Sequence, residues 1–345
     1  MLRTATALAA AALAGLVAQP VLAQTKINVS YQPALYWALP FYIATEKGWW
    51  KQAGLEPSFS TFPAGPPQIA AAASKSWDVG GTGSAPAVLG AARYNLMTIG
   101  ITTDESAGNA LMARGADKDK IVANPASLKG QQILVTVNTT GEYAMNACLK
   151  KWGVARTDVQ IVNLGQAQII SAFSSGTGML AGVWAPNIYT LEERTGAAVI
   201  CSGKDAGASV PGTLIARADY AKENPDAVAR FLAVYERSIA WQRVNRAETI
   251  QLMKKFYDVG GVTLPEKYLA AEIDTRPVFT LDEQLKLLDR SKGASTADEW
   301  YGKLGEFLVS TGTIQQAPDV KSFVTDEFMK RVAANPQLKA LAENK

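Results

Sequence analysis

The amino-acid sequence predicts an α/β protein built from two lobes. Apolar residues alternate between a period of two, typical of strands, and a period of about 3.6, typical of helices. Two such alternating sets follow one another along the chain, and a helical region follows the second set. This order favours two sheets covered by helices. The chain of 345 residues is long enough for two domains.

The first alternating set is predicted to form a parallel sheet, because strands and helices take turns without a hairpin. The predicted strands span 26–31, 55–62, 77–81 and 96–103, and the predicted helices span 39–52, 66–75 and 84–94.

The second set repeats this order and predicts a second lobe. The predicted strands span 109–113, 131–137, 159–164, 180–184 and 197–201, and the predicted helices span 141–152, 167–174 and 187–194. We therefore expect a first lobe from 24–106, a second lobe from 107–208, and a return to the first lobe over 209–345.

After a last strand at 213–217 the chain is predicted to be helical, with four to six helices packed on the first lobe. Asn224 followed by Pro225 is a typical helix start. Capping boxes are predicted to begin at Thr263, Thr280 and Thr296.

The first 23 residues have the pattern of a signal peptide. Arg3 precedes an apolar run over 7–18, and Ala23 ends a cleavage site of compact side chains. We expect cleavage near Ala23 and a periplasmic protein.

The composition excludes several classes of function. The chain contains no histidine, so Ser-His-Asp sites, Cys-His sites and His-ligated metal sites are impossible. The dispersed Lys and Arg residues do not indicate a nucleic-acid surface. We therefore expect no catalysis, no metal and no cofactor. Cys148 and Cys201 fit either one disulfide or two buried thiols, and the sequence leaves both open.

Candidate ligand residues lie where strands end and helices begin, because open α/β sheets bind ligands beyond the carboxyl ends of their strands. The loop after the first strand offers aromatic rings and an amide, and the start of the helix at 84 offers free backbone donors to an anion. Asp104 and Glu105 at a strand end could neutralise an amine or be solvated loop charges. The candidates in the first lobe are Gln32, Tyr36, Trp37, Gly65, Gly83, Ser84, Ala85 and Asp104.

The second lobe offers a matching helix start and an aromatic wall. Glu142 fits two roles, as the partner of Thr139 in a capping box or as the contact for a cationic group of the ligand. Trp184 stands at a strand end and is expected to face the cleft. The candidates here are Thr139, Thr140, Gly141, Glu142, Tyr143, Trp184 and Asn187.

Four segments carry a resemblance to a known family: 83–86, 139–153, 159–164 and 183–186. Together they resemble the periplasmic solute-binding proteins of nitrate, sulfonate and taurine importers. The resemblance implies the two-lobed type II periplasmic-binding-protein fold, with two crossings between lobes, and docking to the permease subunits of an ABC importer in the inner membrane.

The same resemblance assigns roles to individual residues. Ser84 and Ala85 would offer donors to the acidic group of the solute, Thr140 and Tyr143 would contribute from the second lobe, and Trp184 would line the wall. Glu142 departs from the family, because a histidine stands at this place in taurine binders.

We therefore expect the monomeric substrate-binding component of an importer, with a small anionic or zwitterionic organic solute. Two alternatives stay open from the sequence. One is a periplasmic sensing module for a membrane receptor, which needs the same cleft. The other is a secreted enzyme on the same scaffold, for which Asp104 and Glu142 are the only carboxylate pair that we can nominate.

Overall fold

The computed structural model describes residues 24–344, so the predicted signal peptide over 1–23 lies outside the described residues. The strands are β1 Thr25–Tyr31, β2 Leu55–Thr61, β3 Val79–Gly83, β4 Leu96–Asp104, β5 Asn109–Arg114, β6 Gln132–Val135, β7 Gln160–Asn163, β8 Leu180–Trp184, β9 Ala197–Ser202 and β10 Pro211–Arg217.

The α-helices follow the strands closely in the first two-thirds of the chain and then succeed one another directly. They are α1 Leu39–Glu46, α2 Trp49–Gln52, α3 Gly65–Ala71, α4 Ser84–Tyr94, α5 Lys118–Ala123, α6 Thr140–Lys151, α7 Gln166–Ser174, α8 Asn187–Thr195, α9 Ala218–Glu223, α10 Pro225–Val244, α11 Arg246–Val259, α12 Glu266–Thr275, α13 Leu281–Leu287, α14 Thr296–Ser310, α15 Val320–Phe323, α16 Glu327–Ala334 and α17 Pro336–Glu343.

The strands form two five-stranded sheets with the same spatial plan. The first sheet has the order β2-β1-β3-β10-β4, and the second has the order β7-β6-β8-β5-β9. The chain passes from the first sheet to the second between β4 and β5, and it returns between β9 and β10. The predicted α/β fold of two lobes with two crossings is confirmed. The exact lobe bounds stay a prediction.

The expectation of a parallel first sheet is wrong in one respect. Strand β1 pairs in parallel with β2 and β3, but β10 lies antiparallel between β3 and β4. The chain returns from the second lobe in the opposite direction and inserts its strand into the sheet. The mirror arrangement holds in the second lobe, where β5 lies antiparallel between β8 and β9.

Helix α10 anchors the C-terminal helical region to the first lobe. Its predicted apolar face is confirmed, since Val228, Phe231, Leu232, Tyr235 and Ile239 are all buried. The Tyr235 hydroxyl also donates to the Trp37 carbonyl over 2.7 Å. This bond ties the helical region to the loop that follows β1.

Several local predictions need correction. Gly48, with a left-handed φ of 68°, ends the predicted helix at 39–52 early and separates α1 from α2. Within the described residues, nine helices follow β10 instead of four to six. Five of them, α9, α13, α15, α16 and α17, have eight residues or fewer, and so short a segment shows the helical period only weakly.

The helix caps were predicted with mixed success. The box of Thr280 with Glu283 is confirmed. The box expected at Thr296 forms one residue earlier, between Ser295 and Asp298. The other two predictions, a box at Thr263 and a cap by Asn224, are not met by a side-chain hydrogen bond. Helix α12 begins at Glu266 directly after Pro265. The side-chain amide of Asn224 donates to the Tyr220 carbonyl instead of capping α10.

The two cysteines are joined. A disulfide between Cys148 and Cys201 connects α6 with β9 inside the second lobe. The structure therefore decides the alternative that the sequence left open. Among residues 24–344, no helix has the length and hydropathy required to cross a membrane.

Candidate functional site

A small cavity lies between the two lobes, where the loops after the strands of both sheets meet. Its volume is about 20 Å³, which is room for little more than one water molecule. Both lobes contribute to its wall, so the cleft is closed in this structure. The lining residues are Gln32, Leu35, Trp37, Gly65, Gly83, Pro86, Glu105, Thr139, Thr140 and Trp184.

Two helix starts face each other across this cavity. Helix α4 begins at Ser84 directly after Gly83, and α6 begins at Thr140, where the Thr139 hydroxyl accepts from the Glu142 amide over 3.5 Å. Gly83 packs against the side chain of Thr140. Because the first backbone amides of a helix are free and its N-terminus is partly positive, the meeting of two such ends suits an anion.

Glycines bring the other wall residues close. A Cβ atom on Gly81 would overlap the Trp37 ring, so this indole packs directly against strand β3. A Cβ atom on Gly65 would overlap Pro86, so the starts of α3 and α4 are in contact. The aromatic wall and the α4 start thus depend on positions without a side chain.

The amide of Gln32 is held by a buried chain of hydrogen bonds. It donates to the side-chain oxygen of Gln68, and the Gln68 amide donates in turn to the Ser30 hydroxyl over 2.8 Å and to the Gly81 carbonyl over 3.0 Å. A buried amide bonded into such a chain is restricted in orientation, which suits a residue that contacts a solute.

The structure places seven of the predicted site residues on the cavity wall and the others behind or beside it. The seven are Gln32, Trp37, Gly65, Gly83, Thr139, Thr140 and Trp184. The others are Tyr36, Ser84, Ala85, Asp104, Gly141, Glu142, Tyr143 and Asn187.

Most of the second group serves the structure around the cavity. Tyr36 is part of the core of the first lobe, and burial raises its pKa. Ser84 and Ala85 are fully buried in the first turn of α4, and the Ser84 hydroxyl has no hydrogen-bond partner among the described residues.

The Tyr143 ring packs edge to face on Phe307 of α14, 5.3 Å between centroids, which is a contact between lobes. Asn187 begins α8 after the cis Ala185–Pro186 bond.

Glu142 points away from the cavity. Its carboxylate accepts from Asn138 N over 2.7 Å and pairs with Arg156 over 2.5 Å. Burial raises the pKa of Glu142, and both partners act against that shift. The structure favours a capping role over ligand contact, although the carboxylate bonds to the amide of Asn138 and not to that of Thr139.

The carboxylate on the wall is Glu105, and its neighbour Asp104 is turned away. Asp104 accepts from Ser106 N over 2.9 Å, whereas Glu105 is only 3% exposed and lines the cavity. Burial raises the pKa of Glu105, while Arg276 and Asn109 lower it. From the sequence, both acids were placed at this strand end and Asp104 was chosen as the candidate. The structure puts Glu105 on the cavity wall, because the chain leaves the strand there and alternation no longer assigns a face.

Leu35, Pro86 and Arg276 were missed as well. Leu35 and Pro86 stand within the motifs already singled out, and their apolar character gave no separate signal. Arg276 follows α12 and is 1% exposed. It pairs with Glu272 over 2.8 Å and donates to the Ala185 carbonyl over 3.3 Å. No motif marks this arginine in the sequence.

The described part of the chain shows no group of three or more Cys, Asp or Glu side chains arranged to hold a metal ion. The chemistry that the cavity offers is hydrogen bonding from neutral donors, aromatic surface and one carboxylate.

Comparison with known proteins agrees with this geometry. Residues 38–248 match the family model described as NMT1/THI5 like. The chain belongs to the NMT1/THI5-like family. The matched range begins in the loop after β1 and ends in α11, so it contains every residue that lines the cavity except those before position 38.

Relatives and solved structures extend the comparison over most of the chain. The taurine-binding periplasmic protein of Escherichia coli is 29% identical over 66% of this chain and 68% of its own length. The periplasmic aliphatic sulphonate binding protein SsuA of E. coli superposes with a TM-score of 0.72 at 19% identity, over 88% of this chain and 99% of that one. The alkanesulfonate-binding protein SsuA of Xanthomonas axonopodis, bound to MOPS, gives 0.71 at 19% identity, over 89% and 99%. The resemblance drawn from the sequence is confirmed, and the fold is that of periplasmic binding proteins.

Proposed function

We propose that this protein is the solute-binding component of an ABC-type importer and that it holds a small organic sulfonate or related acid between its lobes. The observation that carries the proposal is the pair of helix starts, α4 from one lobe and α6 from the other, that meet at the cavity. The names of the relatives support the class of solute, since one relative is a taurine-binding protein and one structural neighbour holds MOPS.

The cavity suggests how binding and closure are coupled. Its donors belong to both lobes, so a solute that bonds to the Gly83 side and to Thr140 at once stabilises the closed state. A volume of about 20 Å³ does not admit an organic acid. The lobes must therefore separate by a hinge motion at the two crossings, β4 to β5 and β9 to β10, before the solute enters.

The remaining parts of the proposal follow from the family. We infer export by the N-terminal segment, cleavage near Ala23, a monomer in the periplasm, and delivery of the solute to permease subunits in the inner membrane. A sensing module would use the same cleft. An enzyme would need an acid and a base in the cleft, and Glu105 is the only ionisable side chain among the residues that line the described cavity.

Isothermal titration calorimetry with taurine, ethanesulfonate, acetate, nitrate and butylammonium tests this function. We expect an acidic organic compound to bind. Thr140→Val keeps the shape of the side chain and removes its hydroxyl, so it is expected to weaken binding by about tenfold. Thr190→Val is the matched control, because Thr190 is buried in the same lobe and bonds only to Pro186 O among the described residues. Binding of butylammonium alone, or equal loss in both variants, would contradict the proposal.

A further inference from the structure

The charge of the cavity wall is unusual for a site that receives an acid. The lining residues include no Lys and no Arg, and the only charged one is Glu105. A simple anion would thus be held by neutral donors alone, next to a carboxylate that repels it. The wall is electrically suited to a solute that also carries a positive group.

The Glu105 side chain has a polar neighbour, Asn109, which lowers its pKa, but among the described residues it has no charged partner of its own. Within residues 24–344, it forms no ion pair, and its Oε1 atom is buried without a hydrogen-bond partner. An unpaired carboxylate oxygen in a buried position is costly, because water no longer solvates it. The side chain is nine-tenths buried or more and lines the cavity.

The nearest cation is already in use. Arg276 lowers the pKa of Glu105 through space, but its guanidinium pairs with Glu272 over 2.8 Å and donates to the Ala185 carbonyl. Both carboxylates and the arginine are buried. The guanidinium of Arg276 therefore pairs with Glu272 and acts on Glu105 only through space, so the two buried carboxylates have a single cation near them in the described part of the chain.

The aromatic rings in the cavity wall also suit a positively charged group of the solute. Trp37 and Trp184 line the same cavity as Glu105. The faces of indole rings attract cations, most strongly where water is excluded. An ammonium group beside Glu105 would meet a carboxylate and two indoles.

We propose that Glu105 binds a protonated amino group of the solute, so that the site selects zwitterions, with an ammonium at Glu105 and an acidic group at the starts of α4 and α6, over simple anions. This inference rests on the proposed function, because it concerns the solute of the same cavity.

The test compares taurine with ethanesulfonate, which lacks the amino group, by calorimetry. We expect the wild-type protein to bind taurine more tightly by about tenfold or more, the usual worth of a charged hydrogen bond. Glu105→Gln keeps the shape and removes the charge, so the preference for taurine is expected to vanish. Asp104→Asn is the matched control: it removes the neighbouring carboxylate, which does not line the cavity, and should preserve the preference.

The outcomes separate the two proposals. If the wild-type protein binds both sulfonates equally, or if Glu105→Gln keeps the preference, the role of Glu105 is overturned while the proposed function stands. If neither sulfonate nor acetate binds, the proposed function fails and the inference fails with it. If Asp104→Asn loses the preference and Glu105→Gln keeps it, the ammonium binds at Asp104, and the role proposed for Glu105 is overturned.

A pH series on the wild-type protein answers the same question if Glu105→Gln does not fold. The groups that face Glu105 are Asp104 beside it, Glu272 and Arg276 of the α12 region, Tyr235 and Tyr301. An alkyl ammonium stays protonated from about pH 8 to about pH 5, whereas a buried carboxyl takes up a proton as the pH falls. The ammonium stays protonated throughout, so we expect the ratio of taurine to ethanesulfonate affinity to fall as the pH is lowered from about 8 to below 4.5, the ordinary pKa of the carboxyl, and a constant ratio would overturn the inference.

Discussion

Gly83 and Thr140 touch across the cleft: a methyl group in the Cβ position of Gly83 would lie 2.8 Å from the Cγ2 atom of Thr140. The backbone of Gly83 is extended, with φ −71° and ψ 156°, which any residue adopts. The glycine is therefore required by the approach of the opposite lobe and not by its own backbone conformation.

Gly83→Ala is expected to hinder lobe closure without harming the fold. The added methyl group clashes with Thr140 only in the closed state, so we expect solute affinity to fall by about tenfold at an unchanged melting temperature of the free protein. Calorimetry and small-angle scattering would measure the two effects. In Gly83→Ala with Thr140→Ser, the clashing Cγ2 atom is gone and affinity should recover. Gly302→Ala in α14 is a neutral control, since no atom lies within 4 Å of its Cβ position.

Arg276→Met should destabilise the protein strongly. The substitution leaves the buried carboxylate of Glu272 without its cation and removes the bond to the Ala185 carbonyl. Breaking a buried pair in this way costs about 3 kcal/mol or more, which urea unfolding would show as a lower midpoint. Arg246→Met is the control, because its partner Asp274 and Arg246 itself are largely exposed and such pairs contribute little. Equal midpoints for the two variants would show that the buried cluster does not stabilise the fold.

Reduction of the disulfide between Cys148 and Cys201 should lower the stability of the second lobe. The bridge spans 53 positions, and a closed loop of this length is worth about 4 kcal/mol through the entropy of the unfolded chain. Thermal unfolding with and without dithiothreitol would measure the loss. The double variant Cys148→Ala with Cys201→Ala should melt at the temperature of the reduced wild-type protein, whether or not dithiothreitol is present. A shift of its melting temperature by dithiothreitol would point to a cause other than the bridge.

Glu236 should make stability fall as the pH rises. Burial raises the pKa of Glu236 to about 8, although the bond from Gln284 opposes the shift. A carboxyl whose pKa is higher in the folded than in the unfolded state stabilises the fold fully below its ordinary pKa of 4.5. That contribution is lost progressively as the pH rises from there to about 8.

The neutral variant Glu236→Gln isolates this effect. Its side chain can still accept the bond from Gln284, which is 2.6 Å long in the wild type. We expect the urea midpoint of the variant to exceed that of the wild-type protein by a margin that grows between about pH 5 and about pH 8. Parallel pH profiles would mean that Glu236 does not titrate in this window.

The sequence predicted the local elements of this fold well. Helix α4 at 84–94 and strand β8 at 180–184 have the predicted bounds, and the other strands differ by one or two residues at one or both ends. Periodicity and chain breakers are local properties, so they can be seen in a short window. The segment 39–52 shows where prediction from periodicity fails, since Gly48 ends the helix although the apolar pattern continues.

The partners of these elements could not be predicted in the same way. Strand β10 lies between β3 and β4 although more than 100 positions separate them, and no local pattern encodes that insertion. The candidate site shows the same division. The helix starts at Ser84 and Thr140 were predicted from the sequence, whereas the position of Glu105 on the cavity wall became visible only in the structure.

The sequence by itself therefore determined the class of the fold, the two helix starts and the aromatic residues of the cleft, because turn chemistry and side-chain periodicity act over a few residues. Only the tertiary structure decided which carboxylate faces the cavity, that Glu142 turns away to Arg156, and that Arg276 pairs with Glu272 and also lowers the pKa of Glu105. Those facts depend on burial and on charges brought together from distant parts of the chain, and both arise only when the two lobes are assembled.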